Sequence, residues 1–274
     1  MSQQLPYFDF LLKLLANNHA SVTQSFGQHV HWGYWSNPEH AICDDQDFAQ
    51  AAEQLSKELW QLSSLQDGED LLDVGCGFGG TLASLNQSFQ NLKMSGLNID
   101  SRQLQRAQQN LIPRAGNEIS LTQADACKLP FADASFDRVL AVECIFHFPS
   151  REDFLQEAYR VLRHGGTLTL SDFIPAKTFL PLVRLSQLPW LKQFNYFGHC
   201  DVSCTLAKYH QLAKSAGLVV EESRNITLNI LPTYRYLQHL LGETHAAANW
   251  LIKLLSKLGS SGLLSYYLIK FRKP

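Results

Sequence analysis

The sequence predicts an α/β protein: a doubly wound, seven-stranded, mostly parallel sheet with helical lid insertions. Three observations carry that expectation. Between residues 47 and 172, short apolar runs alternate with stretches of helical periodicity, the rhythm of parallel strands joined by crossover helices. One of those runs, residues 71–80 (Leu-Leu-Asp-Val-Gly-Cys-Gly-Phe-Gly-Gly), stops at closely spaced glycines and passes straight into an amphipathic stretch. That pattern reads as a buried strand, a tight turn and a helix, the first half of a Rossmann-like nucleotide-binding unit. Beyond Asp172 the rhythm gives way to proline-interrupted apolar segments with no period of two, which read as lids.

Composition narrows the class. With 274 residues, 45% hydrophobic and 18% charged, the chain can bury a full core. Lys+Arg 23 against Asp+Glu 25 announces no nucleic-acid surface, and no dense basic run precedes Lys270. The N-terminal stretch lacks a basic region and a cleavage site, and no run approaches the ~18 apolar residues of a membrane span. The expectation is a cytoplasmic protein without stable membrane insertion, with a homodimer as one admissible assembly. Six cysteines in a chain of this size read as free thiols. His199, Cys200 and Cys204 have no second ligand pair at a zinc spacing, so no metal is expected.

Taken in order, residues 1–46 form a helical cover, with apolar positions at helical spacing (Leu5, Phe8, Leu11, Leu12, Leu15). It ends in the aromatic loop His31-Trp32-Gly33-Tyr34-Trp35, either a packed corner or a pocket wall. Residues 47–172 form the core, with a helix at 47–65 and strands at 70–74, 93–99, 118–122, 136–143 and 167–172. The helices between them fall at 81–89, 101–110 and 151–162, the last broken at Gly165-Gly166. Residues 173–203 are a lid, 204–225 return to the core as a helix and a strand, 226–258 are a second lid segment with Pro232 at its start, and 259–274 carry the closing strand.

The glycines Gly75, Gly77 and Gly79 sit where the chain leaves a strand, turns through conformations side chains disfavour and lets a ligand approach the backbone. Asp73 lies just before them, at the ligand edge of such a sheet. Taken alone, the loop suits any nucleotide, or an ordinary turn.

The motifs in sequence resemble the class I S-adenosylmethionine-dependent methyltransferases, over residues 26–172 strongly and over the remainder weakly. The likeness rests on residues 71–80, on Gly96-Leu97-Asn98-Ile99-Asp100, on Asp125-Ala126, on the approach Leu129-Pro130-Phe131-Ala132-Asp133 and on Arg163-His164-Gly165-Gly166. It is closest in kind to small-molecule natural-product O-methyltransferases of the rebeccamycin sugar O-methyltransferase type, and also resembles the tocopherol and sterol C-methyltransferase branch.

The resemblance implies S-adenosylmethionine as cofactor. Asp73, Gly75, Cys76, Gly77 and Gly79 would hold its amino-acid end. Asn98 stands where the family has an acid on the ribose, Ile99 would pack on the adenine, and Asp125 and Ala126 would bond it. Glu143 would lie under the sulfonium, and Tyr34 and Trp35 would cover the cofactor. Because the sulfonium is already activated, the protein chiefly supplies alignment and exclusion of water, with a base where the nucleophile needs one. His147 and Asp172 are the catalytic candidates. Against those roles stand a structural imidazole at a helix start and a turn carboxylate. A His-His pair marks the resembling sugar enzymes; here Phe146 replaces its first member.

The function expected is methyl transfer to a hydroxyl or carboxyl oxygen of a small lipophilic natural product. Two alternatives stay open: carbon methylation of an isoprenoid, quinone or sterol-like acceptor, and a non-methylating protein or cyclase on the same scaffold. A nicotinamide-dependent dehydrogenase is disfavoured by Asn98, which is not the acidic ribose partner.

Overall fold

The computed structural model describes residues 6–186, 200–241 and 246–274. A seven-stranded sheet in the order β3-β2-β1-β4-β5-β7-β6 forms the centre. Strands β1 (Asp70–Val74), β2 (Lys93–Asn98), β3 (Glu118–Gln123), β4 (Phe136–Ala141) and β5 (Leu162–Pro175) run parallel. Strand β7 (Leu264–Arg272) lies antiparallel between β5 and β6 (Val219–Asn225). The expected mostly parallel, doubly wound sheet is present.

Continuous apolar runs suit strands covered on both faces, and here Leu71, Leu72, Val74, Val139 and Leu140 are completely buried. On one face, α6 (Arg151–Val161) and α8 (Leu206–Ala216) close the core around Leu155, Ala158, Leu168, Leu170 and Tyr209. On the other lie α3 (Asp45–Ser63), α9 (Thr227–Leu241) and α10 (Ala246–Ser260), packed through Leu55, Leu59, Ile230, Tyr234 and Ile252. Helix α3 starts where it does because the Asp44 side chain accepts from Asp47 N, and its apolar positions Phe48, Ala51, Ala52, Leu55, Leu59 and Leu62 are all buried. Ser150 and Thr205 cap α6 and α8 in the same way.

Five more α-helices lie in the described chain: α1 (Pro6–Ala16), α2 (Ala20–Phe26), α4 (Gly80–Ser88), α5 (Ser101–Asn110) and the short α7 (Leu180–Ser186) after β5.

Two elements differ from expectation. The chain does not leave the sheet at Gly165-Gly166: Leu162 pairs with Phe136 and Thr167 with Arg138, with a register shift between them, and Gly165 at φ +80 allows the irregular turn. The same strand continues past Asp172 to Pro175, because Phe173, Ile174 and Pro175 find partners in Tyr266, Ser265 and Leu264. Pro232 falls inside α9 rather than at its start. Positions 187–199 of the expected lid and 242–245 of the second lid segment lie outside the described residues, as does His199. Among the described residues, no helix is long and apolar enough to cross a membrane, and no cluster of His, Cys, Asp and Glu could hold a metal.

Candidate functional site

A cleft of about 1030 Å³, counting its open mouth, lies over the carboxyl ends of β1, β2 and β4 and under α1. This is the edge at which open α/β sheets take ligands. Its floor is the glycine loop. After Val74 the backbone turns through Gly75 at φ +74 and Gly77 at φ +54, both in the left-handed region. A Cβ at Gly75 would come 2.7 Å from Cys144 Cβ, and one at Gly77 would come 2.7 Å from Val30 Cγ2. The amides of Gly75 and Cys76 both donate to Leu97 O, at 2.7 and 3.0 Å, which ties the loop to β2.

Asp73 faces this cleft and is 1% exposed, yet its Oδ2 has no hydrogen-bond partner. Burial pushes its carboxyl up to about 8. A buried carboxyl oxygen left without a donor is what a cationic ligand group would complete.

Around the rim, Asn98 lines the cleft with both ends of its amide held: Oδ1 accepts from Asp100 N at 3.0 Å and Nδ2 donates to Gln103 Oε1 at 3.2 Å. Ile99 presents a 40% exposed apolar side chain to the same space. Asp125 and Ala126 also line it, and Asp125 Oδ1 accepts from Cys127 N at 2.8 Å.

The far end is more apolar. Glu143, at φ +50 beyond β4, accepts from Trp32 N at 3.0 Å and from the Tyr266 hydroxyl at 2.6 Å, both on Oε2. Burial, offset in part by those two bonds, pushes its carboxyl up to about 8. His147 ends the short turn Ile145–His147, and its Nε2 lies 3.2 Å from the Tyr7 hydroxyl of α1. Burial keeps that phenol well above its ordinary value, so it holds its proton.

Four expected site residues lie elsewhere. Gly33 N donates to Thr233 Oγ1, turning the next two residues toward α3 and α9. Trp35 therefore packs against Phe48, Ala51 and Tyr236 with its Nε1 on Asp47 Oδ2, and Tyr34 joins the α3, α9 and α10 core. Neither lines the cleft. Gly79 caps α4 from a left-handed conformation, and a Cβ there would meet Leu111 and Ala107 rather than the cleft. Asp172 stands within β5 instead of at its end, and alternation along the strand turns it away from the cleft. Its Oδ2 accepts from Arg151 Nε and Nη2 and from the Tyr209 hydroxyl, and its Oδ1 from Phe173 N. A carboxylate so saturated has no lone pair aimed at substrate.

Sequence reasoning missed the cleft roles of Tyr7, Phe8, Thr81, Cys144 and the segment 28–31, whose His29 and His31 line the wall. The one signal was the run Gln28-His29-Val30-His31 just before the aromatic loop, which sets two histidines two positions apart.

The Asp73 oxygen without a donor, the side-chain-free glycine floor and the uncovered Ile99 together fit S-adenosylmethionine, with its ammonium, its close-lying chain and its adenine. Comparison with known proteins agrees. A family described as "Methyltransferase domain" matches residues 72–170. The chain is 34% identical to the 27-O-demethylrifamycin SV methyltransferase of Amycolatopsis mediterranei, covering 92% of this chain and 93% of that one. It is 31% identical to the methyltransferase GfsG of Streptomyces halstedii, over 81% of this chain and 80% of the other. The fold is shared with geranyl diphosphate C-methyltransferase from Streptomyces coelicolor A3(2), at a TM-score of 0.73 and 18% identity, each chain covered completely at 100%. The chain belongs to the class I S-adenosylmethionine-dependent methyltransferases.

Proposed function

We propose that the chain methylates a hydroxyl or carboxyl oxygen of a small lipophilic natural product. What carries this reading is the Tyr7 oxygen seated 3.2 Å from His147 Nε2 at the end of the cleft where Phe8, Val142, Phe148 and Pro149 form apolar walls. That geometry supports an oxygen-borne proton meeting an imidazole nitrogen in an apolar surrounding. The relative in Amycolatopsis mediterranei is named a 27-O-demethylrifamycin SV methyltransferase, a name that puts the methyl group on an oxygen, which points the same way.

When bound, the cofactor supplies an activated methyl group. Asp73 and the glycine floor would hold its amino-acid end, with Asn98, Ile99, Asp125 and Ala126 along the nucleoside. His147 would take the acceptor's proton on Nε2, the acceptor's oxygen standing there in place of the Tyr7 hydroxyl, while α1 excludes water. Glu143 would form the boundary between cofactor and acceptor. Replacing His147 by Ala should lower kcat by roughly 100-fold with S-adenosylhomocysteine binding little changed; equal turnover would remove the base role. Incubation with hydroxylated, carboxylated and prenylated metabolites, read by mass spectrometry, tests the acceptor class: transfer to none of the oxygen acceptors would sink the reading.

Carbon methylation of an isoprenoid, quinone or sterol-like acceptor is the second reading. It is supported by the Phe8 and Phe148 rings that line the cleft, since an aromatic ring face stabilises cationic character on a carbon acceptor. Proton NMR of the product, by the position of the new methyl signal, separates the two.

A further inference from the structure

The hydrogen bonds of the cleft wall at residues 28–32 do not balance if its two histidines are both neutral. His31 Nδ1 lies 2.9 Å from Trp32 O; a carbonyl only accepts, so Nδ1 carries hydrogen and a neutral ring leaves Nε2 as a lone pair. His29 Nε2 lies 2.9 Å from Glu53 Oε2. Glu53 Oε1 accepts from Ser84 Oγ at 2.6 Å and lies 3.6 Å from Lys57 Nζ, which together keep the carboxylate ionised, so His29 Nε2 also carries hydrogen. What remains is His29 Nδ1 facing His31 Nε2 at 3.1 Å, on rings 5% and 8% exposed. Two lone pairs would oppose each other there. Ser56 Oγ, 3.1 Å from His31 Nε2 and 3.4 Å from His29 Nδ1, has one hydrogen and can answer only one of them.

We propose that one additional proton resides between His29 and His31, that Glu53 neutralises the resulting imidazolium–imidazole pair, and that the pair positions the wall of the cofactor cleft. His29 is the cation and His31 the neutral acceptor. Burial, and then the neighbouring His29, push His31 down to about 3, in keeping with that division.

The pair joins three elements at the site. The His29 ring lies so close to the first residue of α4 that a Cβ on Gly80 would come 2.4 Å from Nδ1. Ser56 on α3 reaches both His31 and Thr81 of α4, the latter at 3.1 Å. Directly after His31, Trp32 N donates to Glu143. A fixed imidazolium beside the first turn of α4 suits the carboxylate at the cofactor's amino-acid end. The other charged groups around the pair are Lys57, 3.6 Å from Glu53 on α3, Asp73 lining the same cleft from β1, and Arg106 of α5, which donates to Gly27 O.

Nitrogen-15 NMR of the labelled full chain without cofactor, near neutral pH, reads the proton directly. Both ring nitrogens of His29 should be of the protonated type and His31 protonated at Nδ1 alone; an unprotonated nitrogen on His29 overturns the proposal. For the positioning role, His31→Gln keeps an acceptor for His29 but not the ring shape, and His31→Phe keeps the ring but no acceptor. By calorimetry, His31→Phe should bind S-adenosylhomocysteine about tenfold more weakly than His31→Gln. Equal affinities, or the reverse order, overturn positioning in favour of simple packing. Should the Phe variant fail to fold, His31→Gln decides: affinity within twofold of the unsubstituted chain supports positioning through the acceptor, and a tenfold loss, or failure of the Gln variant to fold, overturns it in favour of ring packing.

Discussion

Asp73 on β1 and Asp172 on β5 are both buried carboxylates, at 1% and 0% exposure, one strand apart across β4. Their surroundings are opposite. Asp172 collects the Arg151 guanidinium, the Tyr209 hydroxyl and the Phe173 amide, while Arg151 Nη1 goes on to Asp201 at 2.7 Å and so fastens the segment before α8. Asp73 keeps an oxygen with no donor and lines the cleft. Burial alone therefore does not mark a functional carboxylate; the donor it lacks does. A paired one holds the fold, and an incompletely paired one waits for a ligand.

The contrast breaks first at Arg151. Arg151→Met would leave Asp172 buried without its charge partner, and chemical denaturation should show a loss of ~3–5 kcal/mol; a loss under 1 kcal/mol would mean that the network is not what holds β5 to α6 and α8. Asp73→Asn acts on the ligand instead. It should weaken S-adenosylhomocysteine binding by ~1.5–3 kcal/mol in calorimetry, while the cofactor-free chain melts at the same temperature or higher near pH 8. A comparable loss of fold stability would erase the distinction.

The pH dependence sharpens it. Asp73 and Glu143 both titrate at about 8 in the folded chain, far above an unfolded carboxyl. Between the two values the folded chain holds protons that the unfolded chain has released, so stability falls as pH rises from the ordinary carboxyl range toward 8. Melting of the cofactor-free chain should show that decline, shallower in Asp73→Asn; a stability that rises over the range would contradict the burial of these groups. The smallest effect belongs to Trp35→Phe, which removes the bond to Asp47 at a cost of ~1 kcal/mol and should leave cofactor affinity within twofold. A larger affinity loss would return Trp35 to the cofactor site.

Strand identities and the glycine floor were legible in the sequence because they rest on local signals: apolar runs and clustered glycines. Asp172 was misjudged because the end of β5 depends on a partner far along the chain; Tyr266, Ser265 and Leu264 extend it beyond the position where its own residues suggest a stop. Trp35 falls outside the cleft because the aromatic loop is fixed at Gly33 by the bond its amide donates to Thr233, 200 positions later. Glu143 was legible as a position, but its Tyr266 partner was not, for the same reason. The His29 and His31 pair shows a local alternation, yet only the packing of α3 and α4 against it gives that alternation a meaning.

The insertion of β7 between β5 and β6 sets an order of assembly. Every residue of the glycine floor and of β1 to β4 precedes residue 142, so the cofactor half of the cleft can take shape from contacts made early during synthesis. The acceptor half cannot. Tyr266 holds Glu143, and the strand that carries it follows all the others in the chain, yet must enter a slot between two of them. Until it arrives, β5 has an open edge and Glu143 has lost a partner, so a chain stalled before residue 264 would present a cofactor cradle beside an unfinished acceptor wall and a sheet edge prone to pair with its neighbours.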